Sequence, residues 1–254
     1  ALSAYCSPNF GIFIIFYFLV FFNHFKLGKK ILFIGFFNIL LSIPFFYYLF
    51  IMDINFIFNK SGWDIGNNIF SINNLSNKFI IVNSLFFFYL TPLLFCKSFR
   101  NNVILISYKN ITNWIFLLIL FVFFSYNFEF KTAYNLTNSG GGFFYNFSQV
   151  LFNNNIILFL ASFLGLVILT SSFLHSNLNI ILYSVTILSN PQLTLWQANY
   201  SPTLFLIIFL LLDFKYKVNI GSIRTMKFIY LYFFIYLIGN IVLKSGLNIN
   251  KMLF

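Results

Sequence analysis

The chain has 254 residues, of which 60% are hydrophobic, 24% aromatic and only 7% charged. Soluble domains carry about 25% charged residues, so an aqueous surface cannot be built from this inventory. Disorder, which needs low hydrophobicity and high charge, is excluded as well. What remains is an all-α, polytopic transmembrane bundle of about seven spans, within a range of six to eight, at roughly 20 residues per span, with no room for a separate soluble domain.

The net charge of +11 does not mark a nucleic-acid binder. The basic residues fall in ones, twos and threes between apolar runs rather than along one face, and in a membrane protein such scatter records topology. Cys6 and Cys96 lie far apart with no His close by, so packed thiols are expected rather than a metal site or a disulfide. No basic stretch precedes the first apolar run, so a signal peptide is not expected. Phe (42 residues), Tyr (15) and abundant Asn, Ile and Leu are what T-rich codons of an AT-rich genome over-supply. A chain this apolar is hard to import, and the two features together suggest an organelle-encoded protein of the mitochondrial inner membrane.

Apolar runs bounded by polar residues predict the spans in order. The first is Phe10–Asn23, closed by Lys26, Lys29 and Lys30. The second is Ile31–Met52, with Pro44 as a kink that neighbouring helices can accommodate. A polar connection follows from Asp53 to Lys78, and the third run is Phe79–Cys96, with Pro92 near its end. The fourth is Trp114–Tyr126, followed by a loop from Asn127 to Asn155 that contains Gly140-Gly141-Gly142, and the fifth is Ile156–Leu174. Leu178–Trp196 is semi-apolar and broken at Asn190-Pro191. Thr203–Leu212 and Met226–Leu243 are the last two runs. None alternates like a barrel strand. With five spans in the first 175 residues, Lys26, Lys29, Lys30, Lys97, Arg100 and Lys109 share one side, which the positive-inside rule assigns to the matrix. Lys215, Lys217, Arg224 and Lys227 join them only if Leu178–Trp196 crosses or re-enters.

Catalysis needs convergent polar groups, and the four acids Asp53, Asp64, Glu129 and Asp213 form no pair at helical or Asp-x-Asp spacing. His24 and His175 stand at span ends, where interfacial imidazoles are expected rather than haem ligands. The glycine triplet is not followed by Lys-Ser/Thr and reads as a turn. Catalytic, cofactor-binding and metal-ligating residues are therefore not expected. No acid or base falls in the middle of an expected span, so any part in proton movement would come through shape and hydration rather than titration.

One segment goes beyond composition. From Gly141 to Thr170 the chain resembles the last conserved span of NADH dehydrogenase subunit 6, a membrane-arm subunit of respiratory complex I. Gly141, Tyr145, Phe152, Gly165 and Leu169-Thr170 stand at the family's spacing without a gap, over thirty residues. The resemblance implies a non-catalytic core subunit that helps couple quinone reduction to proton translocation. Its partners would be the other membrane-arm subunits and the membrane lipids, with no nucleic acid. The chain would bind no redox cofactor itself, NADH, FMN, iron–sulfur clusters and ubiquinone belonging to the complex. The family's third span carries a Tyr-Val-Gly-Ala-Ile pattern whose glycine permits a π-bulge. The counterpart here, Ile81–Phe86, has Asn83 and Ser84 instead, so the switchable bulge is not expected and Asn83 should face protein or a water file. On this division residues 1–175 form a five-helix core and 176–254 an extension with two or three further helices. Gly165 should let another helix approach closely, Tyr145 and Phe144 should anchor at the interface, and Phe86-Phe87-Phe88 should be lipid- or partner-facing bulk. The alternatives are an accessory subunit of another inner-membrane complex, such as ATP synthase or cytochrome oxidase, or a lipid-linked glycosyltransferase of the endoplasmic reticulum, against which the missing acid pair argues.

Overall fold

The structure, a computed structural model, describes residues 29–51, 72–97, 99–101, 103, 111–130, 140–173, 176–188, 197–211 and 223–244. All regular structure among them is helical. The helices are α1 (Lys29–Ile51), α2 (Ile72–Leu90), α3 (Ile111–Tyr126), α4 (Gly142–Phe152), α5 (Ile156–Ser172), α6 (Asn177–Leu188), α7 (Gln197–Leu206) and α8 (Ile223–Lys244). A 3-10 turn, Thr91–Phe95, continues α2, and a π turn, Ile207–Leu211, continues α7. The expected first run, Phe10–Asn23, the Asn190-Pro191 break, and Lys215 and Lys217 lie outside the described residues.

α2 is the axis of the bundle. Ile80, Ile81, Val82, Leu85, Phe86, Phe88 and Leu90 are all buried, because other helices pack on it from several sides. Rings that meet across helices give the directions. Phe79 stacks on Phe124 with centroids 4.3 Å apart, and the Glu129 N–H donates to Asn77 Oδ1 at 3.0 Å, so α3 runs antiparallel to α2. Phe121 meets Phe163 and Phe128 meets Phe159, so α5 is antiparallel to α3 and parallel to α2. Phe95 pairs with Phe228 and Phe88 with Tyr236, which makes α8 antiparallel to α2. These stacked and edge-on ring pairs add directional contacts to the apolar packing of the core.

Three sequence expectations need correction. The polar connection does not extend to Lys78, because α2 already starts at Ile72. Its Asn-rich first turns stay helical because their side chains find partners: Ser76 Oγ donates back to the Ile72 carbonyl, and Asn73 Nδ2 donates to Glu129 Oε2 at 2.8 Å. Lys78 therefore lies within the first turns of a helix and is buried, rather than in the connection where the sequence places it. The second correction concerns residues 127–155, which are not one loop, since α4 forms inside that segment. Asn153 adopts φ 48°, a left-handed conformation that Asn tolerates. Ser148 Oγ donates to the Asn154 carbonyl, and the Ile157 N–H donates back to Ser148 Oγ. The Asn triplet is thus the tight turn of an α4–α5 hairpin, and the stretch Gly141–Thr170 is two helices rather than one span. Finally, Phe86 and Phe88 are core residues, only 1% and 2% exposed, not outward-facing bulk.

Candidate functional site

The α2–α5 contact brings together residues that the sequence singled out separately. A methyl group built on Gly165 would overlap the Asn83 carbonyl oxygen and stand 3.0 Å from its carbon and 3.1 Å from Phe87 Cβ. Any side chain there would push α5 off the α2 backbone, so the glycine permits the close approach small residues give bilayer helices. Asn83 is completely buried. Its Oδ1 accepts the Tyr183 hydroxyl of α6 at 2.8 Å, whereas its Nδ2 has no protein partner. Ser84 Oγ donates to the Ile81 carbonyl at 2.7 Å, a backbone bond that hides its hydroxyl within α2.

Asn83 thus faces protein rather than lipid, and α2 is a regular helix through this region. The π turn among the described residues lies elsewhere, at Ile207–Leu211. It follows α7, in the segment beyond the resemblance. Helix α2 tightens into 3-10 geometry only at Thr91, where Pro92 removes a backbone donor and Thr91 Oγ1 donates to the Phe87 carbonyl at 2.6 Å.

Gly141 and Tyr145 form a second contact. Gly141 has φ 73° and would clash with the Tyr145 ring if it carried a side chain. The ring is buried and meets Phe130 edge-on at 5.0 Å, so Tyr145 is an internal packing residue and not an interfacial anchor. Phe144 likewise packs inward, against Phe87 at 5.5 Å. Phe152 ends α4 and is 57% exposed. Thr170 Oγ1 donates to the carbonyls of Leu166 and Val167. Neither Phe152 nor Thr170 joins the Gly165–Asn83 contact.

Sequence reasoning missed the contribution of residues 176–211. Gln197 Oε1 accepts the Phe143 N–H at 2.8 Å, so α7 satisfies one of the free amides at the start of α4. Tyr89 donates to Ser201 Oγ at 2.6 Å. Tyr183 stands beside Phe86, with ring centroids 6.1 Å apart. Ser162, Tyr200 and Thr203 are fully buried hydroxyl residues whose oxygens, like Asn83 Nδ2, have no protein partner. Leaving such a group unpaired costs about 1–3 kcal/mol. The sequence gives no spacing that singles them out, since Asn199 and Ser201 lie among Gln197, Tyr200 and Thr203.

The described residues hold no cluster of three or more metal-ligating side chains. Hydroxyls, amides and aromatic rings make up this interior, which suits packing and hydrogen bonding. Comparison of the chain with protein-family models, with curated proteins and with solved structures finds no match in any of the three.

Proposed function

We propose that the chain is a non-catalytic, multi-span subunit of a membrane assembly, with α2 as its central helix. Two features support the membrane reading. Counted through its 3-10 end, the helix Ile72–Phe95 is long and apolar enough to cross a bilayer. Helices α1, α3 and α8 carry broad exposed faces of Phe, Leu and Ile, far more apolar surface than a soluble monomer leaves uncovered. About seven spans, in the inner mitochondrial membrane, remain the expected arrangement.

The assembly we propose is the membrane arm of respiratory complex I, with this chain in the role of subunit 6. The observation that carries this reading is the Gly165–Asn83 contact. It joins the stretch Gly141–Thr170, on which the resemblance rests, to the counterpart of the family's third span, where the chain departs from the family's pattern. The regular geometry of α2 around Asn83 and Ser84 separates this chain from relatives with a glycine-dependent bulge. Any coupling role would then depend on how α2 packs and hydrates, not on a helix switching between two forms. NADH, flavin, iron–sulfur clusters and quinone would be handled by other subunits. Native electrophoresis of solubilised membranes tests the proposal: the chain should co-migrate with NADH-dehydrogenase activity. Stoichiometric recovery with a different complex would overturn it and leave the helical membrane fold untouched.

A further inference from the structure

Of five buried polar side-chain atoms without protein partners among the described residues, one, Asn146 Oδ1, belongs to α4, and the other four, Asn83 Nδ2, Ser162 Oγ, Tyr200 Oη and Thr203 Oγ1, belong to α2, α5 and α7. Their order along the bundle follows from register. Gly165 abuts Asn83 and α5 runs parallel to α2, so Ser162, one turn earlier, lies about one turn below Asn83. Gly142 is lodged between Leu85 and Gln197, and Tyr89 reaches Ser201, so α7 advances in the same sense as α2. Tyr200 and Thr203 therefore lie above Asn83. At about 1.5 Å of rise per residue the set extends for on the order of 15 Å.

These four groups are not alike. A serine or threonine hydroxyl can turn back to a carbonyl of its own helix, as Thr170 and Thr186 do here. The Tyr200 hydroxyl, at the far end of its ring, has no such local escape, and Asn83, whose Oδ1 is engaged by Tyr183, keeps its Nδ2 without a protein partner. Tyr183 already spends its proton on Asn83 Oδ1 and keeps a lone pair to offer. The interior thus has fixed donors and acceptors, enclosed by apolar side chains, of the kind that bind ordered water through two to four hydrogen bonds each.

We infer that the seam between α2 and helices α5–α7 is a binding site for water molecules, held by Asn83, Tyr183 and Tyr200 and bordered by Ser162 and Thr203. The seam links parts of the chain within and beyond the resemblance to subunit 6, and it stands whichever assembly the chain belongs to. It would make the middle of the bundle polar along one side of α2.

Hydroxyl-radical labelling by brief X-ray exposure of the full chain in lipid nanodiscs tests this, since radicals formed from bound water modify adjacent side chains that bulk solvent cannot reach. Tyr200 should be modified severalfold faster than Phe86 and Phe99, which are equally enclosed. Modification of Tyr200 no faster than those phenylalanines would overturn the inference, and this comparison needs no variant. Asn83→Leu adds a second reading: labelling of Tyr183 should fall while that of exposed Tyr126 stays constant. Undiminished Tyr183 labelling in that variant, with Tyr126 unchanged, would also count against the seam.

Discussion

At the scale of single residues, Gly165 carries the sharpest constraint. Helix propensity alone favours Ala over Gly by up to ~1 kcal/mol, so a glycine with open space around it would gain stability on substitution. Here the added methyl meets the backbone of Asn83 rather than a side chain that can swing away. Overpacking of this kind typically costs 1–3 kcal/mol, about the range seen in crowded cores. Gly165→Ala should therefore lower the thermal midpoint of the detergent-solubilised chain, and Gly165→Leu should lower it further and weaken assembly. An Ala variant as stable as the native chain would show that α5 can withdraw from α2 freely. The Tyr183–Asn83 bond permits a companion measurement. Tyr183→Phe removes the one proton that Asn83 Oδ1 accepts from protein and leaves that carbonyl oxygen buried, at a cost of about 1–3 kcal/mol. Asn83→Leu removes the amide along with its need for partners, so Tyr183→Phe should cost much less in that background. Equal costs in the two backgrounds, measured as shifts in unfolding midpoint, would mean that the bond contributes nothing.

At the scale of elements, sequence patterning located the long apolar helices and failed where polar residues were doing structural work. α1, α3, α5 and α8 match the runs Ile31–Met52, Trp114–Tyr126, Ile156–Leu174 and Met226–Leu243 to within a few residues, because continuous hydrophobicity over such lengths has few other solutions. By pattern alone the start of α2 and the whole of α4 are expected to be loops, since Asn and Ser favour turns unless their side chains are satisfied. Glu129 and Asn154 satisfy them, from positions no local pattern reveals. Of the candidate site, Gly165 and Asn83 could each be marked from the sequence, but their contact could not, nor could the arrival of Tyr183 from α6. Gln197 illustrates the same point and yields a prediction. Its amide oxygen accepts the Phe143 N–H across 54 positions of sequence, where α4 begins without a side-chain cap of its own. Gln197→Leu should cost about 0.5–1.5 kcal/mol, as a lost hydrogen bond does. The loss should be local, appearing as faster amide exchange in the first turn of α4 with exchange in α5 unchanged. Uniformly faster exchange through both helices would instead indicate that α7 holds the whole hairpin in place.

At the scale of the whole molecule, the distribution of apolar surface separates a membrane bundle from a water-soluble one. Helix α2 is enclosed, while Phe234 and Ile235 on α8 and Ile119 on α3 are each about 60% exposed. Among the described residues no polar face balances them. In water, placing a charge at such positions would remove apolar exposure and improve solubility at little cost to folding, since surface substitutions generally fall within about 0.5 kcal/mol. In a bilayer the same charge must be buried in hydrocarbon, at about 2.5–3.5 kcal/mol for a Lys at the centre of a span. The two environments therefore give opposite signs for one substitution. Ile119→Lys and Phe234→Lys should each reduce the fraction of chain that resists carbonate extraction from membranes. Tyr126→Lys, at the last residue of α3 and already 88% exposed, should reduce it far less, because a lysine near a helix end can reach the polar interface. Retention that is unchanged for Ile119→Lys and Phe234→Lys, together with release of intact chain into the soluble fraction, would place these faces in water and remove the ground for a lipid-embedded bundle.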